Sequence, residues 1–260
     1  MRRPWLPLVL AGLLGGLLSG IFGVGGGIVM VPLLTLLVGM DQRRAAATSL
    51  AAIVLSAASG SVTYVARGAF DLTAVVALAA GSIVGAVIGT ALLKRLPITV
   101  LRWLFVLLLV VIAVRMLLPP PEPAGPVPLT LVPIALLVLM GLLVGIASGL
   151  FGIGGGVLIV PGLVLLAGLG ELVAKGTSLL VMIPTGITGT WRNLRNGLVV
   201  LRDALFVGVP AIAAATVGAS IAFLLRPPLS NTLFAVLLLA IVVQQVLRIL
   251  RRPKPRPAAA

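Results

Sequence analysis

Moved along itself by 129 residues, the chain lies over its own second half. Gly25 to Gly27 fall on Gly154 to Gly156, Pro32 on Pro161, Thr48-Ser49-Leu50 on Thr177-Ser178-Leu179, and Gly89 on Gly218. The stretch SGIFGVGGGIVMVP, from Ser19, and its counterpart SGLFGIGGGVLIVP, from Ser148, share nine of fourteen positions. A repeat of this length is a transporter-type duplication and not a solenoid period. The expected organisation is a first membrane repeat over 1–118, a Pro-rich linker over 119–128, a second repeat over 129–250, and a basic tail over 251–260 too polar and proline-rich to fold. The opening MRRPWLPLVLAGLLGG has the makeup of a secretory signal, but its match from Met140 stands mid-chain, so the N-terminus reads as part of the fold.

Each half contains four apolar runs, in the first half Leu6–Gly39, Ala45–Val65, Leu72–Leu93 and Thr99–Leu118. With 60% hydrophobic and 9% charged residues and a mean hydropathy of +1.29, the chain is an all-α integral membrane protein. Most runs suit one crossing. The first run of each half does not, because as a straight helix Leu6–Gly39 would reach roughly 50 Å against a hydrocarbon core of about 30 Å. It must protrude, tilt, or turn back at its glycines. If it enters and leaves by the same face as two short arms, fifteen of the nineteen basic residues lie at inner ends. If it crosses once, the split is twelve to seven, so the positive-inside rule favours the hairpin with both termini cytoplasmic. Each half then crosses an odd number of times, which makes the two copies inverted repeats with a glycine-broken segment at their interface.

Irregular backbone at membrane depth is tolerated only where protein or a watery cavity satisfies its polar groups. Gly23, Gly25, Gly26 and Gly27, with Gly152, Gly154, Gly155 and Gly156, permit positive φ and close approach. After each turn a helix starts, and its unpartnered N–H groups and partial positive charge suit an anion. Pro32 and Pro161 remove one more N–H a few residues in and are expected to kink these helices. Thr48-Ser49 and Thr177-Ser178 open the next helix of each half, where hydroxyls cap backbone amides or bind a ligand. Lys175 either draws anions towards the outer face or snorkels. The fourfold-spaced glycines Gly12, Gly16 and Gly20, Gly81, Gly85 and Gly89, and Gly141, Gly145 and Gly149 read as helix-packing faces. Ser59, Thr63, Thr188 and Asn193 are weaker pore-lining candidates.

The absence of His and Cys excludes imidazole and thiolate metal sites and histidine acid–base chemistry. No metal, cofactor or catalytic residue is expected, and an enzyme is disfavoured. The formal charge of +14 sits singly or in pairs between apolar runs, the pattern of membrane orientation and not of a nucleic-acid face. Asp41, Asp71, Glu122, Glu171 and Asp203 fall at run ends or in the linker, so no carboxylate is expected inside the membrane. Coupling would use a titrating substrate, a terminal acid such as Asp41 or Asp203, or nothing.

The doubled G-[VI]-G-G-G…P element, with AAATSLAAI and VAKGTSLLV after it, resembles the TauE/SafE family of membrane permeases, also called the sulfite exporter or sulfonate uptake permease family. The likeness runs from about Gly12 to Leu250. It implies an inner-membrane permease for small anions, often sulfur oxyanions or organosulfonates. It also implies that Gly25 to Gly27, Pro32, Thr48, Ser49, Gly154 to Gly156, Pro161, Thr177 and Ser178 are the positions that matter. Ala47 stands where the second half has Gly176, so the two halves are not expected to be equivalent. The expected partners are a small anionic substrate and the lipid bilayer. A passive anion channel of the same build and a lipid or polyprenyl-phosphate carrier are the alternatives.

Overall fold

The computed structural model describes residues 5–117 and 131–250, so the expected linker and basic tail lie outside the described residues. The described residues form ten helices and no strand. In the first half these are α1 (Trp5–Phe22), α2 (Gly27–Leu37), α3 (Gln42–Ala66), α4 (Leu72–Arg95) and α5 (Ile98–Leu117). The second half repeats them as α6 (Leu131–Phe151), α7 (Gly156–Leu166), α8 (Glu171–Arg195), α9 (Leu201–Ala222) and α10 (Pro227–Leu250). Seven of them, all but α2, α5 and α7, are long and apolar enough to cross a membrane.

Both long first runs break where the glycines cluster. Gly23, Gly25 and Gly26 take φ of 67°, 79° and 73°, and Gly152, Gly154 and Gly155 take 67°, 78° and 89°, a region that costs other L-residues 1 kcal/mol or more. Gly26 then lies against the backbone of Gly15 and Met30 against Gly15, so α2 doubles back along α1. In the second half Gly155 meets Val144, and Gly162 meets Met140. The runs therefore turn back, but their arms are unequal, with 18 residues in α1 against 11 in α2. The longer arm follows from its partner. A Cβ on Gly12, Gly16 or Gly20 would strike the backbone at Val207, Ala211 or Ala215, on three successive turns of α9. Gly141, Gly145 and Gly149 meet α4 in the same way, and Gly81, Gly85 and Gly89 meet α6. Without a hydrophobic force between helices in lipid, such close backbone approach is what gives them dispersion contact.

These pairings exchange under the 129-residue shift. α1 packs on α9 as α6 packs on α4, α3 packs on α8, and α5 packs on α10. α3 and α8 are the most buried of the spanning helices and run antiparallel, since the start of each lies against the loop that follows the other. They begin differently. Asp41 caps α3 by accepting from the Arg43 and Arg44 amides, whereas Gly170 precedes α8 with no side-chain cap. Everything about the glycine turns is framed by these two central helices.

Candidate functional site

The two turns touch each other. A side chain on Gly27 would meet the Gly152 carbonyl and Ile153, and one on Gly156 would meet the Gly23 carbonyl and Val24. Each turn is held by the serine of the opposite half: Ser49 Oγ donates to the Gly152 carbonyl and Ser178 Oγ to the Gly23 carbonyl, both at 2.8 Å. Ile53 and Met182, one turn further along α3 and α8, contact both Gly25 and Gly154. Rather than capping their own helices, these serines clamp turn carbonyls across 103 and 155 residues of chain.

Each short helix starts uncapped by any side chain. In α2 the first hydrogen bonds run from Val29 and Met30 to the Gly26 carbonyl, and in α7 from Leu158 and Ile159 to that of Gly155. The amides of Gly27 and Ile28, and of Gly156 and Val157, have no acceptor among the described residues. Pro32 and Pro161 sit inside these helices, and the Thr35 hydroxyl donates to the Pro32 carbonyl at 2.8 Å. One turn before each break, Ser19 and Ser148 are fully buried, and neither hydroxyl has a partner. A helical serine ordinarily bonds back to its own helix, so two symmetric exceptions mark the place. The signal for them was present, because both serines belong to the identical positions of the doubled motif.

The ends of the α3–α8 pair differ. At one end the Asp71 amide donates to Thr177 Oγ1 at 2.9 Å, the Ala69 carbonyl occupies the space a side chain on Gly176 would need, and buried Tyr64 donates to the Gly20 carbonyl at 2.8 Å. At the other end the counterparts are Thr48, Ala47 and Asn193. Ala47 is buried in one small apolar cluster with Val199 and Ala204. Thr48 lines a pocket of about 200 Å³ with Val38, Gly39, Met40, Arg44, Leu198, Val200 and Asp203. The Asn193 amide is buried with neither polar atom bonded. Nothing in the repeat pattern flagged Arg44 or Asp203 as pocket walls.

Lys175 neither snorkels nor faces water. It is 2% exposed, and its Nζ sits 2.6 Å from Glu171 Oε1 and 2.9 Å from Ser230 Oγ. Glu171, placed at a run end by sequence, is thus folded inward at the i−4 position. Among the described residues no cluster of His, Cys, Asp and Glu is arranged to hold a metal ion.

A model of the family described as "Sulfite exporter TauE/SafE" matches residues 1–116 and 136–260. The chain is 29% identical over 215 residues to the probable membrane transporter protein YdhB of Bacillus subtilis, covering 82% of this chain and 88% of the relative. It is 29% identical to a probable membrane transporter protein of Xylella fastidiosa, covering 92% and 93%. It is 31% identical to one of Haemophilus influenzae, covering 73% of each. No solved structure matches it. With the family model covering both halves and seven apolar helices of spanning length in the fold, the chain is a multi-pass membrane protein that belongs to the TauE/SafE family.

Proposed function

We propose that this protein is a bacterial inner-membrane permease that carries a small anion, a sulfur oxyanion or an organosulfonate, by alternating access about the paired glycine turns. The observation that carries the reading is the meeting of two helix N-termini with unpartnered amides, each accompanied by a buried serine hydroxyl without a partner. Donors without acceptors, at the positive ends of two helices, fit an anion. Gly23, Gly25 to Gly27 and Gly152, Gly154 to Gly156 supply this backbone. Ser49 and Ser178 hold it, Thr48 and Thr177 stand at its two approaches, and Pro32 and Pro161 lie in the helices behind it. The difference between the approaches supports alternation: Thr177 is covered by the Asp71 loop while Thr48 opens on a pocket.

In this reading the repeats, 1–118 and 129–250, are inserted in opposite senses. The pocket end carries Arg43, Arg44, Arg192, Arg195 and Arg202 and faces the cytoplasm together with both termini. The sulfur-containing class rests on the family's description, and the anionic class on the donors. The test is a thermal-shift screen of the purified protein with sulfite, thiosulfate, sulfate, sulfoacetate, taurine and acetate. We expect selective stabilisation by at least one anion, reduced in Ser19→Ala and Ser148→Ala. Equal response of both variants and the unmodified protein would remove the turns from the site, and stabilisation by no anion would overturn the reading.

A further inference from the structure

The Lys175–Glu171 pair buries two opposite charges at positions where the first half of the chain carries neutral side chains. Under the two-fold relation Lys175 corresponds to Ala46, Glu171 to Gln42, and Ser230 to Leu101, so the first half closes the same helix junction with neutral groups. A buried ion pair is weak evidence for stability, because desolvation of both ions offsets their attraction, and an apolar replacement of similar volume is often neutral or better. Here the alternative solution stands in the same molecule. The pair is also incompletely satisfied: Glu171 Oε2 is buried with no hydrogen-bond partner, while Lys175 Nζ holds Oε1 and Ser230 Oγ. The stem of Lys175, from Cα to Cγ, lies directly against Gly23 of the first turn, whose carbonyl is held by Ser178. The lysine therefore stands at the edge of the paired turns, with a carboxylate seated on it.

We propose that Lys175 is the cationic ligand of the transported anion, and that Glu171 is a tethered substitute that occupies the ammonium until the anion displaces it. This rests on the reading of the chain as a small-anion permease. An arriving oxyanion takes the place of Oε1 on Nζ, and Ser230 keeps its own bond. The Glu171 side chain, on the first residue of α8 and 13% exposed, swings towards the helix end. With a monoanion such as acetate or hydrogensulfite no net charge is left buried in either state, whereas a dianion such as sulfate leaves one negative charge uncompensated and is expected to bind less tightly. An ammonium is a point charge with three rotatable donors, so it accepts planar carboxylates and tetrahedral oxyanions alike, and the site selects for small size and negative charge. Competition by Glu171 lowers the anion's apparent affinity and speeds its release.

The experiment measures binding of sulfite, sulfate and acetate to the purified full-length protein by thermal shift and calorimetry, for the unmodified chain, Glu171→Gln, and the double variant Glu171→Gln/Lys175→Ala. The double variant copies Gln42 and Ala46, so it is expected to fold and reach the membrane. If Glu171 holds the lysine nine-tenths of the time, E171Q binds the preferred anion roughly tenfold more tightly, whereas the double variant loses that binding. A purely structural pair predicts the reverse order, with E171Q weakened by an unpaired buried lysine. Undiminished binding by the double variant, or weaker binding by E171Q, overturns this proposal and leaves the permease reading standing. If E171Q does not fold, the double variant decides alone. Binding of no probe to the unmodified protein overturns both.

Discussion

Thr48 and Thr177 occupy the same place in the two halves and do different work. Thr177 accepts the Asp71 amide and is sealed beneath the 68–71 loop, whereas Thr48 makes no such bond to Val200, the counterpart of Asp71, and opens on a pocket. The residue before each threonine differs as well. Gly176 leaves room for the Ala69 carbonyl to come down on α8, while Ala47 is buried in one small apolar cluster with Val199 and Ala204. We expect this single methyl group to separate the latched end from the unlatched one. A duplicated protein in which both ends latched equally would have no preferred state.

The turn contact is where the halves are most alike, and breaking it gives the largest expected effect. Gly27 and Gly156 each face backbone of the opposite turn and have ordinary φ values, so replacement acts through overpacking and not through strain. Gly27→Val and Gly156→Val are each expected to cost about 3 kcal/mol or more, read as loss of folded protein in detergent or a lowered denaturation midpoint. The two costs should agree closely. A large inequality would mean that the symmetry of the turns is only apparent.

The asymmetric latch gives the next effect. Because the chain contains no cysteine, single-cysteine probes need no background removed. Ala69→Cys sits on the latched loop and is 7% exposed, so slow alkylation is expected; Leu198→Cys lines the pocket and should react quickly. Adding Gly176→Ala to A69C should raise its rate, and adding Ala47→Gly to L198C should lower its rate. A latch of one or two kcal/mol corresponds to changes of roughly five- to thirtyfold. Rates unchanged by both substitutions would show that the methyl group does not set the state.

Much of this frame was legible in the sequence because it is written in local backbone requirements. The breaks at Gly23–Gly26 and Gly152–Gly155 need positive φ, and the fourfold glycines need close backbones, whatever surrounds them. What was hidden depends on partners far along the chain. The serines of T-S-L could be read as caps because nothing local says that Ser49 reaches Gly152 or Ser178 reaches Gly23. Ile53 and Met182 look like any other aliphatic positions until both turns are seen against them. Glu171 and Lys175 stand four apart, a spacing visible in the sequence, but at a run end that spacing suggests a solvated pair; only the packing of α10 and the first turn buries it. The relative lengths of the two arms were not legible, because the hairpin argument fixes only where the chain reverses, not how far α9 supports α1.

The smallest effect separates the two threonines themselves. Thr177→Val removes the acceptor of the Asp71 amide and leaves a part-buried N–H without a partner, which costs about 1 kcal/mol or somewhat more. Thr48→Val removes a hydroxyl that faces the pocket and holds no loop, so a change within about 0.5 kcal/mol is expected. Both are near-isosteric, so cavity effects largely cancel in the comparison. Chemical denaturation of the two variants beside the unmodified protein measures the difference directly. If T48V proves as costly as T177V, Thr48 is latched as its counterpart is, and the asymmetry of the two ends belongs to one momentary arrangement of the 198–200 loop instead of to the Ala47 methyl group.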